Sequence, residues 1–318
     1  MTIGIVVIGR NEGERLIACL RSLGDLVHRT VYVDSGSSDG SVSAAGELGA
    51  TVTVLDRSRP FTAARARNHG LAVLIERYPD ISYVQFVDGD CVLDGKWLHQ
   101  ARSFLDNNPD VALVCGRRRE RFPERSIYNL LCDREWDTAI GEARECGGDV
   151  MARLDALRAV GGYADDLIAG EEPEMCLRLR AAGWRIWRLD AEMTLHDANM
   201  LRFGQWWRRS MRGGHAFAEV SARHAGSPLR IWRRQTWRAI LWGLLLPTAI
   251  LVAAVVIHPV CLLLLLIYPL QVLRLARRGG DWRIAGLLVL GKFPELVGVA
   301  RYYRNRLLRR AGGLIEYK

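Results

Sequence analysis

The first 116 residues alternate between short apolar runs and helix-like stretches, and few folds accept that rhythm. Strand-like runs fall at 3–8, 30–34 (TVYVD), 51–55 (TVTVL), 82–87 (SYVQFV) and 111–115 (VALVC). Helix-like stretches lie between them, near 12–23, 39–48, 63–77 and 95–107. This alternation predicts βαβ units and an α/β fold built on a doubly wound, mostly parallel sheet. In such sheets ligands bind beyond the carboxyl ends of the strands, near the point where strand order reverses. Polar residues just after strands are therefore the candidates for chemistry. Past residue 116 the pattern loosens to a helix over 171–183 and strands at 184–189 and 193–196.

Charge is unevenly spread. Residues 201–318 hold 20 Lys and Arg against 4 Asp and Glu, whereas residues 1–200 are mildly acidic. The basic part also holds the most apolar runs, which favours a membrane partner over nucleic acid. No charge occurs from 239 to 257; His258-Pro259 follows, and 260–273 is again uncharged. A span needs ~20 apolar residues, so the first run suffices and the second reaches Ala276 if Arg274 snorkels. Arg233, Arg234 and Arg238 precede the pair and Arg274, Arg277 and Arg278 follow it. Basic flanks at both ends predict a hairpin with both ends in the cytosol.

Around the hairpin, the Arg- and Trp-rich segment 200–217 fits either an interfacial helix or a packed one. The run 284–299 carries Lys292, Pro294 and Glu295 and reads as interfacial or re-entrant. The tail 301–310 (RYYRNRLLRR) suits anionic headgroups. The start of the chain shows no signal-peptide pattern. Seven cysteines without a CxxC pair speak against a disulfide framework or a structural zinc site.

Several polar clusters fall where the sheet would place a ligand. Gly9-Arg10-Asn11-Glu12 follows the first strand, and Asp34-Ser35-Gly36-Ser37-Ser38-Asp39-Gly40 the second. Alone, the latter is an ordinary turn with an N-cap at Asp39. Arg65, Arg67 and Asn68 lie on a helix facing the same edge. Asp88-Gly89-Asp90 ends a buried strand, and two acids there repel unless a cation or donor relieves them. Oxygen ligands so placed suit Mg2+ or Mn2+ shared with substrate phosphates. Gly170-Glu171-Glu172-Pro173-Glu174 opens a helix. With proline at the first helical position, Glu172 falls near the N-cap, where the helix dipole favours its ionised form. An ionised carboxylate at a cleft edge is what a general base requires. His196 is a candidate metal ligand. Gly286-x4-Gly291-Lys292 imitates a phosphate-binding loop, but Phe293 replaces the needed Ser or Thr. No GxGxxG follows the first strand, so a dinucleotide has little support.

In combination these stretches resemble the family 2 inverting glycosyltransferases of the GT-A fold. The matching segments are VVIGRNEGERL (6–16), VYVDSGSSDGS (31–41), AARARNHGL (63–71), QFVDGDC (85–91) and GEEPEMCLRLRAAGW (170–184). The resemblance implies that Asp34 contacts the nucleobase, with Asn11 and Glu12 nearby, and that Arg67 lies by the nucleotide. It implies Asp88 at the ribose or sugar, and Asp90 on a metal bridging the donor diphosphate. Glu172 falls on the position of the catalytic base, usually Asp in a Glu-Asp pair. Here the pair is Glu-Glu, which leaves the choice between Glu171 and Glu172. Arg178 matches an arginine later in that helix, and His196 a metal-binding histidine of some members. Gln205-Trp206-Trp207-Arg208 is similar to the signature of processive synthases, but Arg209 stands where they have Trp, and they carry more spans.

The implied reaction is transfer of one sugar from a nucleotide diphosphate sugar, expected to be UDP-linked, to a lipid-linked acceptor in envelope or exopolysaccharide synthesis. Charging of a polyprenyl phosphate carrier is the alternative within the class. A sugar nucleotidyltransferase would need a Gly-rich basic loop that is missing here, and an inactive scaffold would not need Asp88, Asp90 and Glu172. The expected organisation is a catalytic domain at 1–199, with nucleotide-sugar and acceptor halves meeting near 116. Interfacial helices at 200–236, a hairpin at 237–276 and a basic end at 277–318 follow. This places the protein on the cytosolic side of the inner membrane.

Overall fold

In β1 (Thr2–Gly9) residues 3–8 are all buried. A parallel strand covered on both faces reads as a continuous apolar run, not an alternation. The computed structural model describes residues 2–56 and 58–308. α1 (Glu14–Ser22), α2 (Ser41–Glu47) and α3 (Ala63–Arg77) cross between β1, β2 (Thr30–Asp34), β3 (Thr51–Val54) and β4 (Ile81–Asp88). These four strands are parallel, in the order β3-β2-β1-β4. The chain builds outward through β2 and β3, then returns to the far side of β1 with β4. That reversal sets three carboxyl ends side by side: Gly9 is in register with Asp34, and Ile8 with Asp88. The loops bearing Asn11, Asp34 and Asp88 therefore meet at one edge.

Beyond β4 the sheet becomes mixed. It adds β5 (Cys91–Leu93), β6 (Val111–Glu120), β7 (Gly141–Ala143), β8 (Val150–Arg153) and β9 (Arg185–His196), with α4 (Trp97–Asn107), α5 (Ile127–Glu135), α6 (Leu154–Val160) and α7 (Glu171–Ala181) between them. The full order is β3-β2-β1-β4-β8-β6-β9-β5, with β7 on β9. β8 runs antiparallel to both β4 and β6, and β9 parallel to β6. Trp97 is fully buried, and its Nε1 donates to Gln85 Oε1 at 2.8 Å, which satisfies a polar side chain inside β4.

The structure differs from the sequence pattern in four places. The segments 184–189 and 193–196 are one strand, because polar 190–192 interrupts the apolar pattern but not the backbone. Register shifts between Cys115 and Arg118 absorb the irregularity. β5, β7 and β8 have three or four residues, too few to show a period. The N-cap of α2 is Gly40; Asp39 accepts from Ser41 N at 3.0 Å from one residue further out. α7 starts at Glu171, with Gly170 in the left-handed region at φ 82, so Pro173 is its third residue and Glu172 its second. Proline is tolerated there because the first N–H groups of a helix have no intrahelical acceptor. The first such bond is Glu174 N to Gly170 O.

By its packing the chain forms two units, 1–124 with 132–199, and 125–131 with 200–318. The second is helical: α8 (Phe203–Arg223), α9 (Arg233–Ile240), α10 (Leu246–Val256), α11 (Ile267–Gly279), α12 (Trp282–Leu290) and α13 (Lys292–Leu307). α9 and α10 are continuous through a π-helical turn at 241–245, giving a helix of 24 residues, Arg233–Val256. The widened turn gives room to the ring of Pro247, which has no N–H to bond back. After the break at His258, a tight turn and α11 form a second helix of 21 residues, Pro259–Gly279. Both are long and apolar enough to cross a membrane. Their apolar side chains face outward, Val255 being 87% and Val256 75% exposed.

The run 284–299 spans two helices separated at Gly291, and its charges Lys292 and Glu295 pair at 2.5 Å. α8 and α13 cross on glycines. A Cβ at Gly214 would stand 2.0 Å from Glu295 O, and one at Gly298 2.0 Å from Met211 O. Trp206, Ala216, Ala218 and Val220 of α8 are buried, while Phe203 is exposed. Arg309 and Arg310 of the basic tail lie outside the described residues.

Candidate active site

Asn11 turns the chain at the end of β1, with φ 55 in the left-handed region. Its Oδ1 accepts from Ser38 N at 2.8 Å, and its own N–H donates to Ser37 Oγ at 2.9 Å. Asp34 holds the same loop from below. Its Oδ2 accepts from the N–H groups of Gly36 and Ser37, each at 2.8 Å, and its Oδ1 from the hydroxyls of Tyr32 and Ser37. Asp34 is 1% exposed. Its bonds all go to the loop that it shapes and to Tyr32 beneath it. Glu12 pairs with Arg15 at 2.7 Å.

Arg67 is the hub of the crevice. It is 2% exposed and binds three carboxylates. Nη1 donates to Glu171 Oε1 at 3.0 Å and to Glu172 Oε1 at 2.9 Å, and Nη2 to Asp88 Oδ1 at 2.9 Å. The ring of Tyr163 lies beneath the guanidinium at 5.5 Å. Arg118 reaches the other oxygen of Asp88 at 3.3 Å and Asp149 Oδ2 at 3.5 Å. Asp149, fully buried, accepts from Asp88 N at 2.9 Å and from Thr194 Oγ1 at 2.8 Å. The acid at the end of β4 is thus held from α3, β6 and the segment before β8. Such pairing is what lets several carboxylates share a small volume.

Glu171 and Glu172 part company here. The Glu171 side chain is 5% exposed and that of Glu172 15%, so Glu172 is the one turned to the crevice. Burial raises the Glu172 carboxyl, and the charge of Glu171 raises it further. Arg67 opposes both, and the value is pushed up to about 7. The expected gain from the helix dipole is outweighed, so near neutrality the group is shared between its acid and base forms.

The second acid of the Asp-Gly-Asp turn belongs to a different set. Asp90 Oδ2 lies 3.3 Å from His196 Nε2, a separation that suits two ligands of one cation. β5 and β9 bring them together, since Cys91 is in register with His196. Burial and the nearby Arg118 lower the His196 pKa, which keeps its imidazole neutral and able to coordinate. Nδ1 faces Glu120 Oε2 at 3.8 Å, and the edge of Trp136 packs on the ring at 4.7 Å. Cys91 adds a thiol to this group, with Sγ 3.7 Å from Asp90 Oδ1. Burial holds the Cys91 thiol protonated, which leaves the carboxylate of Asp90 and the imidazole of His196 as the groups able to hold a divalent cation.

Arg178 is not part of this assembly. Its guanidinium binds Glu174, at 2.7 Å for the shortest pair, and the carbonyls of Val160 and Gly162. It ties α7 to the end of α6. Sequence reasoning missed Arg118, Glu120, Trp136, Asp149 and Tyr163. For Asp149 one signal existed, the Gly147-Gly148 pair before it. A Cβ on Gly148 would stand 2.2 Å from Arg67 Nη2 and 3.1 Å from Glu172 Oε1. We expect Gly148→Ala to displace Arg67 from Glu172 and to cost about 1–3 kcal/mol, as for other overpacked sites. Thermal unfolding and transfer rate measured together test this; wild-type values of both would show that the space is not needed.

A mixed α/β sheet with paired acids at its strand reversal defines the crevice of a GT-A glycosyltransferase, and residues 4–156 match Glycosyl transferase family 2. Residues 4–156 thus carry a domain of that family, and the curated relatives that match the chain are named for glycosyl transfer or polysaccharide synthesis. It is 30% identical over 205 residues to the succinoglycan biosynthesis protein ExoA of Rhizobium meliloti, covering 58% of this chain and 60% of that one. It is 28% identical over 250 residues to the pre-mycofactocin glycosyltransferase of Mycobacterium tuberculosis, covering 69% and 47%. The chain thus spans about half to three fifths of these curated relatives. Among solved structures, the mannosyltransferase PcManGT of Pyrobaculum calidifontis, in complex with GDP-Man and Mn2+, superposes with a TM-score of 0.61. That match covers 93% of this chain and 86% of the other at 18% identity, a likeness of fold.

Proposed function

We infer that the protein transfers one sugar from a nucleotide diphosphate sugar, with a UDP-sugar as the expected donor, to a hydroxyl of a lipid-linked acceptor, with inversion. The observation that carries this reading is the single guanidinium of Arg67, which holds Glu172 and Asp88 at 2.9 Å each. It fixes a carboxylate able to take a proton beside the acid assigned to the sugar or ribose. Glu172 removes the acceptor proton as the oxygen attacks the anomeric carbon, and Arg67 steadies the charge. Asn11, Glu12 and the loop held by Asp34 form the nucleotide side. Asp90 and His196 would hold Mg2+ or Mn2+, which when bound supplies charge neutralisation for the departing diphosphate.

The two apolar helices and their basic flanks support a hairpin anchor with the catalytic domain, 1–199, on the cytosolic face of the inner membrane. An acceptor carried on lipid fits an enzyme so anchored, and a relative named for succinoglycan biosynthesis supports an envelope or exopolysaccharide role. The test is a panel of UDP- and GDP-sugars offered with membrane lipid extract, followed by mass and anomeric analysis of the product. A lipid-linked product of inverted configuration is expected. Transfer to a soluble acceptor alone, or retention of configuration, would overturn the reading.

The pH dependence follows from Glu172. Because its pKa is pushed up to about 7, the base form is lost as pH falls through that value. The value of kcat/KM should fall about tenfold per unit below pH 6 and level off above pH 8. A profile flat between pH 5 and 8 would remove Glu172 as the base.

A further inference from the structure

A cavity of about 640 Å³ lies apart from the acids described above, among residues of β6, β9 and the segment after α5. Arg117, Arg119 and Arg188 line it, with Asp137, Asp190 and Glu192. Two of the arginines are buried, Arg117 at 5% and Arg188 at 3% exposed. Arg119 is held by Glu192 through two bonds of 2.7 Å. Arg117 donates to Asp133 Oδ1 at 3.1 Å and to two carbonyls. Arg188 is poorly supplied. It donates to the carbonyl of Leu189, and among the described residues its Nε has no hydrogen-bond partner. Its nearest carboxylate, Asp137, stands 3.8 Å away and is 62% exposed.

A buried cation without matched acceptors is costly. The arrangement of Arg188 therefore points to an oxyanion that belongs in the cavity, with Asp137 as its weak stand-in. Asp190 and Glu192 set the ligand's other property. They would repel a second negative charge, and their oxygens accept from hydroxyls. We propose that the cavity binds a saccharide bearing one carboxylate, a uronate, with the carboxylate on Arg188 and Arg117 in place of Asp137 and hydroxyls toward Asp190 and Glu192. This site is distinct from the crevice of Arg67 and Asp90. It nevertheless adjoins it, since Trp136, next in the chain to Asp137, packs on His196 at 4.7 Å and over Arg118 at 4.9 Å.

The test uses the full chain in an uncharged detergent, titrated with glucuronate, glucose and inorganic phosphate and followed by ligand-detected NMR. Glucuronate is expected to bind, with glucose and phosphate at least about tenfold weaker, the worth of one charged hydrogen bond. Asp137→Asn, on an exposed side chain, is expected to tighten glucuronate by about tenfold, because it removes the internal competitor. Arg188→Gln is expected to abolish binding. Equal binding of glucose or phosphate, no binding of glucuronate, or no gain in Asp137→Asn would each overturn the proposal. The Asp137→Asn titration still decides the matter if Arg188→Gln fails to fold.

Discussion

Glu172→Gln should lower sugar transfer by roughly a hundredfold or more, the usual worth of a positioned general base. The amide keeps the shape of the side chain and an oxygen for Arg67, which now donates to Glu172 Oε1 at 2.9 Å. It cannot take a proton. Nucleotide binding should survive, since Asn11 and the loop held by Asp34 are untouched. Glu171→Gln is the comparison that separates the two acids. Glu171 is the more buried of the pair and shares the same Nη1, so its loss should appear mainly as a lower Tm. Steady-state rates, nucleotide titrations and thermal unfolding on both variants supply the readout. Near-normal transfer by Glu172→Gln would assign the proton to another group.

Asp90→Asn is expected to reduce transfer on the order of a hundredfold to a thousandfold, the scale seen when stabilisation of a developing negative charge is lost. Asparagine offers a neutral oxygen in place of a carboxylate, a poorer ligand for a hard cation. It would also leave His196 Nε2 without its charged neighbour at 3.3 Å. Calorimetry of nucleotide binding, with Mn2+ and with EDTA, gives a readout independent of turnover. Nucleotide affinity indifferent to both the chelator and the substitution would rule out an ion held by Asp90.

The nucleotide half of the fold was legible because its signals are local. The runs at 30–34 and 63–77 coincide with β2 and α3 residue for residue. A buried parallel strand reads as a near-continuous apolar run, and the polar residues that end it mark the start of a loop. The acceptor half was less legible for the same reason. β7 and β8 are too short for a period, and β9 carries polar residues mid-strand that resemble a break. The expected start of α7 at residue 171 holds, but the N-cap is Gly170 and not near Glu172, because the first turn of a helix has no N–H bond for a proline to remove and accepts Pro173 as its third residue.

Asn11, Asp34, Asp88, Asp90 and Glu172 could be picked out along the chain because each stands at the end of an element, where turn chemistry is written in adjacent residues. Their partners could not. Arg67 meets Glu171 across 104 residues, and Asp88 meets Asp149 across 61. Nothing near Arg118 or Tyr163 in the chain marks them, and the two glycines before Asp149 are a signal only once Arg67 is known to pack against Gly148. Arg178 shows the converse, a residue of a linear motif whose hydrogen bonds go to Glu174 and to the carbonyls of Val160 and Gly162, not to the crevice acids. Local sequence specifies which backbone ends carry acids. The packing of α3 and α7 over the strand reversal specifies which cation those acids share, and hence which carboxylate is left facing the crevice.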